Sequence, residues 1–217
     1  MSAPTSSPTR AEWYFDFISP FAYLQLEQFD RLPAGLDVTL RPVVLGALLA
    51  HWQNRGPAEI PGKRRFTYRY VQFRAEQLGI PLRMPPAHPF NPLRPLRLAQ
   101  ALGGGIEVVR EIFRHLWRDG QGVADEAGWR KLCARLGVVG AEALIERAEV
   151  KVALRQNTEA AIAREVFGVP TFAVGDDLFW GEDATALLLH CLESPDWLQS
   201  DELRRISDLP VGVERRR

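Results

Sequence analysis

Three short stretches hold residues whose types and neighbours suit chemistry. In 13–23, WYFDFISPFAY, an apolar run dense in aromatic residues turns at Ser19-Pro20 into a helix-like pattern. A serine ahead of a proline at a helix start caps the helix with its side-chain oxygen. The unpaired N–H groups of the first turn and the positive end of the helix dipole favour an anion at the same place. In 168–171, Gly-Val-Pro-Thr, Pro170 opens a strand, and its missing N–H leaves a neighbouring backbone group free to pair with something else. In 181–183, Gly-Glu-Asp, carboxylates lead into a final helix, where they can take a ligand's ammonium group or cap that helix. Taken alone, Ser19 reads as a plain helix cap, and the other two stretches are what give it a second reading.

The elements that must position these residues follow from periodicity. Residues 12–17 form a strand, 21–32 a helix with Tyr23, Leu24, Leu26 and Phe29 on one face, and 36–44 an alternating strand. A crossover helix makes the two strands parallel. From Leu45 to about Val166 strand signals vanish, and helices are predicted over 62–79, 91–103, 105–118, 126–136, 141–147 and about 149–166. Then 169–174 and 178–180 make a hairpin around Gly175-Asp176-Asp177, and a helix near 183–193 closes the pattern. The expected fold is α/β, a βαβ–ββα core with a large all-helical insertion. Its division is a disordered leader at 1–10, the core at 11–44 plus 167–195, the insertion at 45–166 and a solvated tail at 196–217.

Composition excludes several classes. The 27 Lys and Arg balance 27 Asp and Glu, so no net positive field exists to hold a polyanion, and nucleic acid is not an expected partner. No run of eighteen apolar residues exists to span a membrane. The 2 cysteines, Cys133 and Cys191, form no CxxC pair and sit in helix-like apolar patterns, which fits a reducing cytosol. Four histidines, His51, His88, His115 and His190, lack metal-ligand spacing, and no metal is expected. Ser19 lies in no Gly-x-Ser-x-Gly elbow, which argues against a serine hydrolase.

The motifs FDFISPFAY (15–23), LRPVVLGALL (40–49), Asn54, HPFNPLRPLRLA (88–99) and FGVPTFAVGDDLFWGED (167–183) occur in an order that resembles the 2-hydroxychromene-2-carboxylate isomerase family. That family shares its thioredoxin-like fold, with a helical insertion, with kappa-class glutathione transferases and bacterial disulfide oxidoreductases. The resemblance covers nearly all of 11–195 and leads one to expect a cis peptide before Pro170. It also implies a glutathione cofactor. Where redox relatives carry Cys-x-x-Cys, this chain reads Ser19-Pro20-Phe21-Ala22, so dithiol chemistry is excluded there. A serine hydroxyl at a helix start can donate to a thiolate and lower its pKa from the free value of about 8.5. By the same resemblance Asn54 holds the tripeptide, Val169 pairs its cysteinyl backbone beside Pro170, and Trp180, Gly181, Glu182 and Asp183 hold its γ-glutamyl end.

For the family's reaction the resemblance implies addition of the thiolate to an unsaturated carbon, rotation about the resulting single bond, and elimination. The partners are then a small aromatic or enone substrate and a second copy of the chain in a homodimer, in the cytoplasm. Phe17, Phe21, Trp52, Phe66 and Phe90 are available as an aromatic wall. The chain departs from the pattern in its substrate half: Ala50 replaces a lysine common in relatives, and Tyr70 stands where an acidic residue is usual, with Arg64, Arg65 and Arg69 nearby. A kappa-like transferase and a non-catalytic thioredoxin-fold binding protein are the alternative readings.

Overall fold

In the computed structural model, which describes residues 8–213, strand β1 (Thr9–Phe15) lies inside a four-stranded sheet ordered β2-β1-β3-β4. It pairs in parallel with β2 (Leu36–Pro42), Trp13 opposite Leu40, and antiparallel with β3 (Thr171–Val174), Trp13 opposite Phe172. The hairpin to β4 (Asp177–Trp180) then sets Phe172 against Phe179. Because side chains alternate along a strand, Trp13 and Phe15 enter one apolar cluster while Tyr14 enters another with Val43, Leu48 and Ala173. Both faces of β1 are therefore covered by helices, and its run reads as continuously apolar for that reason.

Helix α1 (Pro20–Leu26) links β1 to β2 as the sequence leads one to expect, and α9 (Thr185–Glu193) follows β4. Between β2 and β3 the chain forms α2 (Leu45–His51), α3 (Pro61–Leu78), α4 (Leu93–Ala101), α5 (Ile106–Phe113), α6 (Glu126–Arg135), α7 (Ala141–Glu146) and α8 (Ala148–Ala163). Helices α3 to α8 share the first of these apolar clusters with the sheet, and Leu48 of α2 enters the second. Phe17 packs on Phe113 with ring centroids 4.7 Å apart, and the cluster of Trp13 and Phe15 runs on into Trp117, Trp129 and Leu132. Trp13 is fully enclosed, and its indole N–H donates to Gln25 Oε1 at 2.6 Å, which satisfies the ring's one polar atom inside the core.

Several expectations are corrected. The helix predicted over 21–32 stops at Leu26 and resumes only as a single turn at Phe29–Arg31, which ends where the ring of Pro33 pushes Leu32 to extended backbone, φ −71° and ψ 148°. The leader predicted over 1–10 gives way to β1 at Thr9, whose N–H bonds to Gly35 O at 2.8 Å; positions 1–7 of that leader lie outside the described residues. The segment at 45–51, within the helical block but given no helix of its own by the pattern, is α2. The helix predicted over 105–118 passes at Phe113 into a wider π turn, Arg114–Arg118, that carries Trp117. The tail contains α10 (Asp201–Ser207), exposed along most of its length, and its final residues 214–217 lie outside the described range. No helix among the described residues is long and apolar enough to cross a membrane.

Candidate active site

Ser19 is the N-cap of α1. Its backbone is extended, φ −92° and ψ 113°, and its Oγ accepts from Ala22 N–H at 3.2 Å. The same hydroxyl faces the Val169 carbonyl oxygen at 3.5 Å, so its hydrogen has only a long, weak acceptor. Ser19 is 6 % exposed. The Val169–Pro170 peptide is cis. Pro170 is buried and its carbonyl accepts from Gly181 N–H at 2.8 Å, while Gly181 O accepts from Gln25 Nε2 at 3.0 Å. The strands around β3 and β4 thus run beside α1, touching it near its start through Val169 and near its end through Gly181.

The geometry brings Ser19, Val169, Pro170 and Gly181 together directly. Gly181 has φ 102°, a left-handed value suited to glycine, and a Cβ there would meet Asp183 Oδ1 at 2.5 Å. Trp180 is 54 % exposed, lies over Gly168 and meets Phe167 edge-on at 5.0 Å between ring centroids. Asp183 is exposed on the next turn. Glu182 behaves differently from a free ligand group: it is 4 % exposed and its carboxylate takes Arg74 Nε at 3.1 Å, Arg74 Nη2 at 2.9 Å and Gln28 Nε2 at 3.0 Å. Arg74, Glu182, Asp183, Gln28, Arg31 and Thr185 line a cleft of about 230 Å³ at the end of α1 remote from Ser19. Asn54 sits on the exposed loop after α2, where its Oδ1 accepts from Arg55 N–H at 2.9 Å and its N–H bonds to Leu49 O at 2.8 Å. Its contacts are local, and the loop is tied toward the site by Trp52 Nε1 donating to Val166 O at 3.0 Å.

Two groups beside Ser19, Asp16 and the half-buried His88, were missed by sequence reasoning. Asp16 is fully buried; its Oδ1 accepts from Ile18 N–H at 3.0 Å and its Oδ2 from Leu45 N–H at 2.9 Å, which joins the α1 turn to the start of α2. Burial pushes its carboxyl up to about 7, the two amide bonds opposing but not cancelling the desolvation. A charged residue inside an aromatic run was the available signal. His88, on the loop between α3 and α4, faces Ile18 O with Nε2 at 2.9 Å and the Tyr68 hydroxyl with Nδ1 at 2.8 Å, and burial lowers its pKa.

The proposed aromatic wall divides. Phe17 is wholly buried in the core and is removed from it. Phe21 packs on Tyr70 at 6.0 Å, and Tyr70 stacks between Phe66 at 5.7 Å and Phe73 at 6.4 Å along an exposed face of α3. Trp52 is exposed, with its Nε1 donating to Val166 O, and Phe90 packs on Trp117 at 6.3 Å. Ala50, Arg64, Arg65 and Arg69 are exposed. Among the described residues no group of three or more His, Cys, Asp or Glu converges as a metal site requires.

Comparison with known proteins agrees with this architecture. The chain is 28% identical over 191 residues to 2-hydroxychromene-2-carboxylate isomerase of Pseudomonas putida, covering 82% of this chain and 91% of that protein. It is 24% identical over 208 residues to glutathione S-transferase kappa 1 of Caenorhabditis elegans, covering 86% and 92%. A solved structure of 2-hydroxychromene-2-carboxylate isomerase superposes with a TM-score of 0.75 at 25% identity, over 93% of this chain and 100% of that one. The family model described as DSBA-like thioredoxin domain matches residues 11–193, and the chain belongs to that family.

Proposed function

We propose that this protein is a glutathione-dependent isomerase of the 2-hydroxychromene-2-carboxylate type, acting on a small aromatic or enone substrate. The observation that carries the reading is the Ser19 hydroxyl: it caps a helix, stands where redox relatives of the fold have cysteine, and holds its own hydrogen only on a carbonyl 3.5 Å away. Such a hydroxyl turns readily to a stronger acceptor, and an anionic sulfur is one.

The surroundings fit a bound tripeptide. Helix α1 rises about 10 Å over its length, which is also the reach of about three extended residues. A glutathione with its sulfur at Ser19 would therefore bring its other end to the cleft beyond Gly181. There Arg74 offers a guanidinium and Asp183 a carboxylate, the complement of a γ-glutamyl zwitterion. Glu182 serves that end by fixing Arg74. Val169, at the strand edge beside Ser19, would pair the cysteinyl backbone, and Asn54 with Trp180 would close over the tripeptide.

When bound, glutathione supplies the nucleophilic sulfur whose reversible addition frees a double bond to rotate. The protein's own part is to stabilise that sulfur as an anion. The Ser19 Oγ–H donates to it, while Ala22 N–H holds Oγ in place from behind. Phe21, Tyr70 and Phe66 line the approach for a flat substrate, and the arginines of α3 supply positive charge near it. The 2 unpaired cysteines support a cytoplasmic setting. The expected homodimer is tested by light scattering on the full chain.

The test is an absorbance assay with 2-hydroxychromene-2-carboxylate, with and without glutathione. Turnover that requires glutathione and regenerates it supports the isomerase. Consumption of glutathione with release of a conjugate supports the second reading, a kappa-like transferase, which the kappa-class relative and the altered positions Ala50 and Tyr70 favour. Absence of glutathione binding by calorimetry overturns both.

A further inference from the structure

The turn that delivers Ser19 has no repeating hydrogen-bond pattern, yet two consecutive peptide planes in it are held at both ends. In the first, Phe17 O accepts from Trp117 Nε1 at 2.8 Å and Ile18 N–H donates to Asp16 Oδ1 at 3.0 Å. In the second, Ile18 O accepts from His88 Nε2 at 2.9 Å and Ser19 N–H donates to Asp16 O at 3.0 Å. Rotating either plane breaks two bonds. Two of the four partners come from Asp16 itself, and the other two, Trp117 and His88, come from the helical insertion.

We propose that His88 is a positioning residue for Ser19, acting through the Ile18 carbonyl. The peptide plane that His88 grips ends at the Ser19 nitrogen, so its tilt sets the direction in which the Ser19 side chain leaves the backbone. The ring is oriented for this task. A carbonyl can only accept, so Nε2 carries the hydrogen and, in the neutral ring, Nδ1 accepts from the Tyr68 hydroxyl. Tyr68 O–H also lies 2.8 Å from His88 O, so its single hydrogen is shared between Nδ1 and that carbonyl. Trp117, Tyr68 and Phe90 meet the ring edge-on at 5.4, 5.4 and 6.1 Å and leave it little room to swing. Two hydrogen-bond partners and three packed rings thus fix the imidazole beside the turn that carries Ser19. A misplacement of about 1 Å at a reacting group costs on the order of a hundredfold in rate, so rigidity here is worth having.

The catalytic readout rests on the proposed glutathione chemistry; the structural one does not. His88→Leu removes the donor, and His88→Gln restores an N–H at the place of Nε2. In His88→Leu we expect the amide hydrogens of Ile18 and Ser19 to exchange at least about tenfold faster by nuclear magnetic resonance, with the amides of β1 and β3 unchanged. We also expect kcat to fall about tenfold while the glutathione dissociation constant moves less than about threefold. His88→Gln should recover most of both. Tyr68→Phe, which frees Nδ1 without opening the core, should move both readouts in the same direction by less, and serves if His88→Leu does not fold. Wild-type protection of Ile18 and Ser19 in the folded variants would overturn the proposal. Wild-type protein that leaves the ultraviolet-detected thiol pKa of glutathione unchanged would overturn the glutathione reading instead, and the exchange result would stand on its own.

Discussion

The Ser19 hydroxyl and the Val169 carbonyl oxygen, 150 positions apart in the chain, meet at 3.5 Å. That contact joins the start of α1 to the residue before β3, and it is weak enough to open. Ser19→Ala should cost only about 1 kcal/mol of stability through the lost cap to Ala22. Its effect on turnover should be larger, at least about tenfold at neutral pH, and should shrink as pH approaches the free thiol's pKa of about 8.5, where the sulfur ionises unaided. A pH–rate profile beside urea denaturation separates the two; equal turnover at every pH would leave Ser19 as a cap alone.

Asp16 makes stability depend on pH in a direction opposite to that of an ordinary paired carboxylate. Burial raises its pKa from 3.8 to about 7, so the folded state holds the proton more tightly than the unfolded one. Its contribution is complete below the unfolded pKa of 3.8 and is lost as pH rises through about 7. A rise of this size corresponds to on the order of 4 kcal/mol. Urea midpoints between acid and neutral pH should therefore fall less steeply in Asp16→Asn than in the wild type, and parallel slopes for the two proteins would sink the assignment.

Arg74 and Glu182 lie 108 positions apart and form a two-pronged pair with Glu182 almost fully enclosed. Arg74→Ala strands that carboxylate and should destabilise the fold by about 3 kcal/mol. Replacing both residues together by leucine should cost much less than the single change, since no charge is then left uncompensated. A double-mutant cycle in urea measures the coupling, and additive costs would show that the pair contributes none. Binding of glutathione should weaken in both proteins, because the guanidinium is lost from the cleft.

Gly181→Ala places a side chain at φ 102° and within 2.5 Å of Asp183 Oδ1. The strain should lower stability by about 2 kcal/mol. Asp183 must also move, so the glutathione dissociation constant should rise in Gly181→Ala by more than it does in Gly175→Ala, which strains a left-handed backbone at the β3–β4 turn but leaves Asp183 in place. Calorimetry on the two variants compares them directly.

Much of this arrangement was legible in the chain. The aromatic run and Pro20 marked the β1–α1 turn, and the hairpin around Gly175 announced β3 and β4, because each of those features is local. The end of α1 differs from the expectation because the apolar spacing of 21–32 continues past Leu26 through the separate turn at Phe29–Arg31 and so reads as one helix. Glu182 looked like a free carboxylate because its partner sits on α3, and nothing near either residue announces the pairing. Asp16 and His88 escaped for a related reason. Their partners are backbone groups of Ile18 and Leu45, and a peptide N–H or C=O leaves no mark in the order of side chains.

The shared interior of sheet and insertion bears on where this turn can be transplanted. Pared down to β1–β4 with α1 and α9, the chain would turn Trp13, Phe15 and Phe17 toward water and withdraw Phe113 and Trp117 from beneath them. A designer wishing to move the Ser19 turn into a smaller host would have to carry along an indole and an imidazole from the insertion, or supply two other donors aimed at the carbonyls of Phe17 and Ile18. The Ser19 turn is thus portable only together with the helices that look, in linear order, like an interruption of its domain.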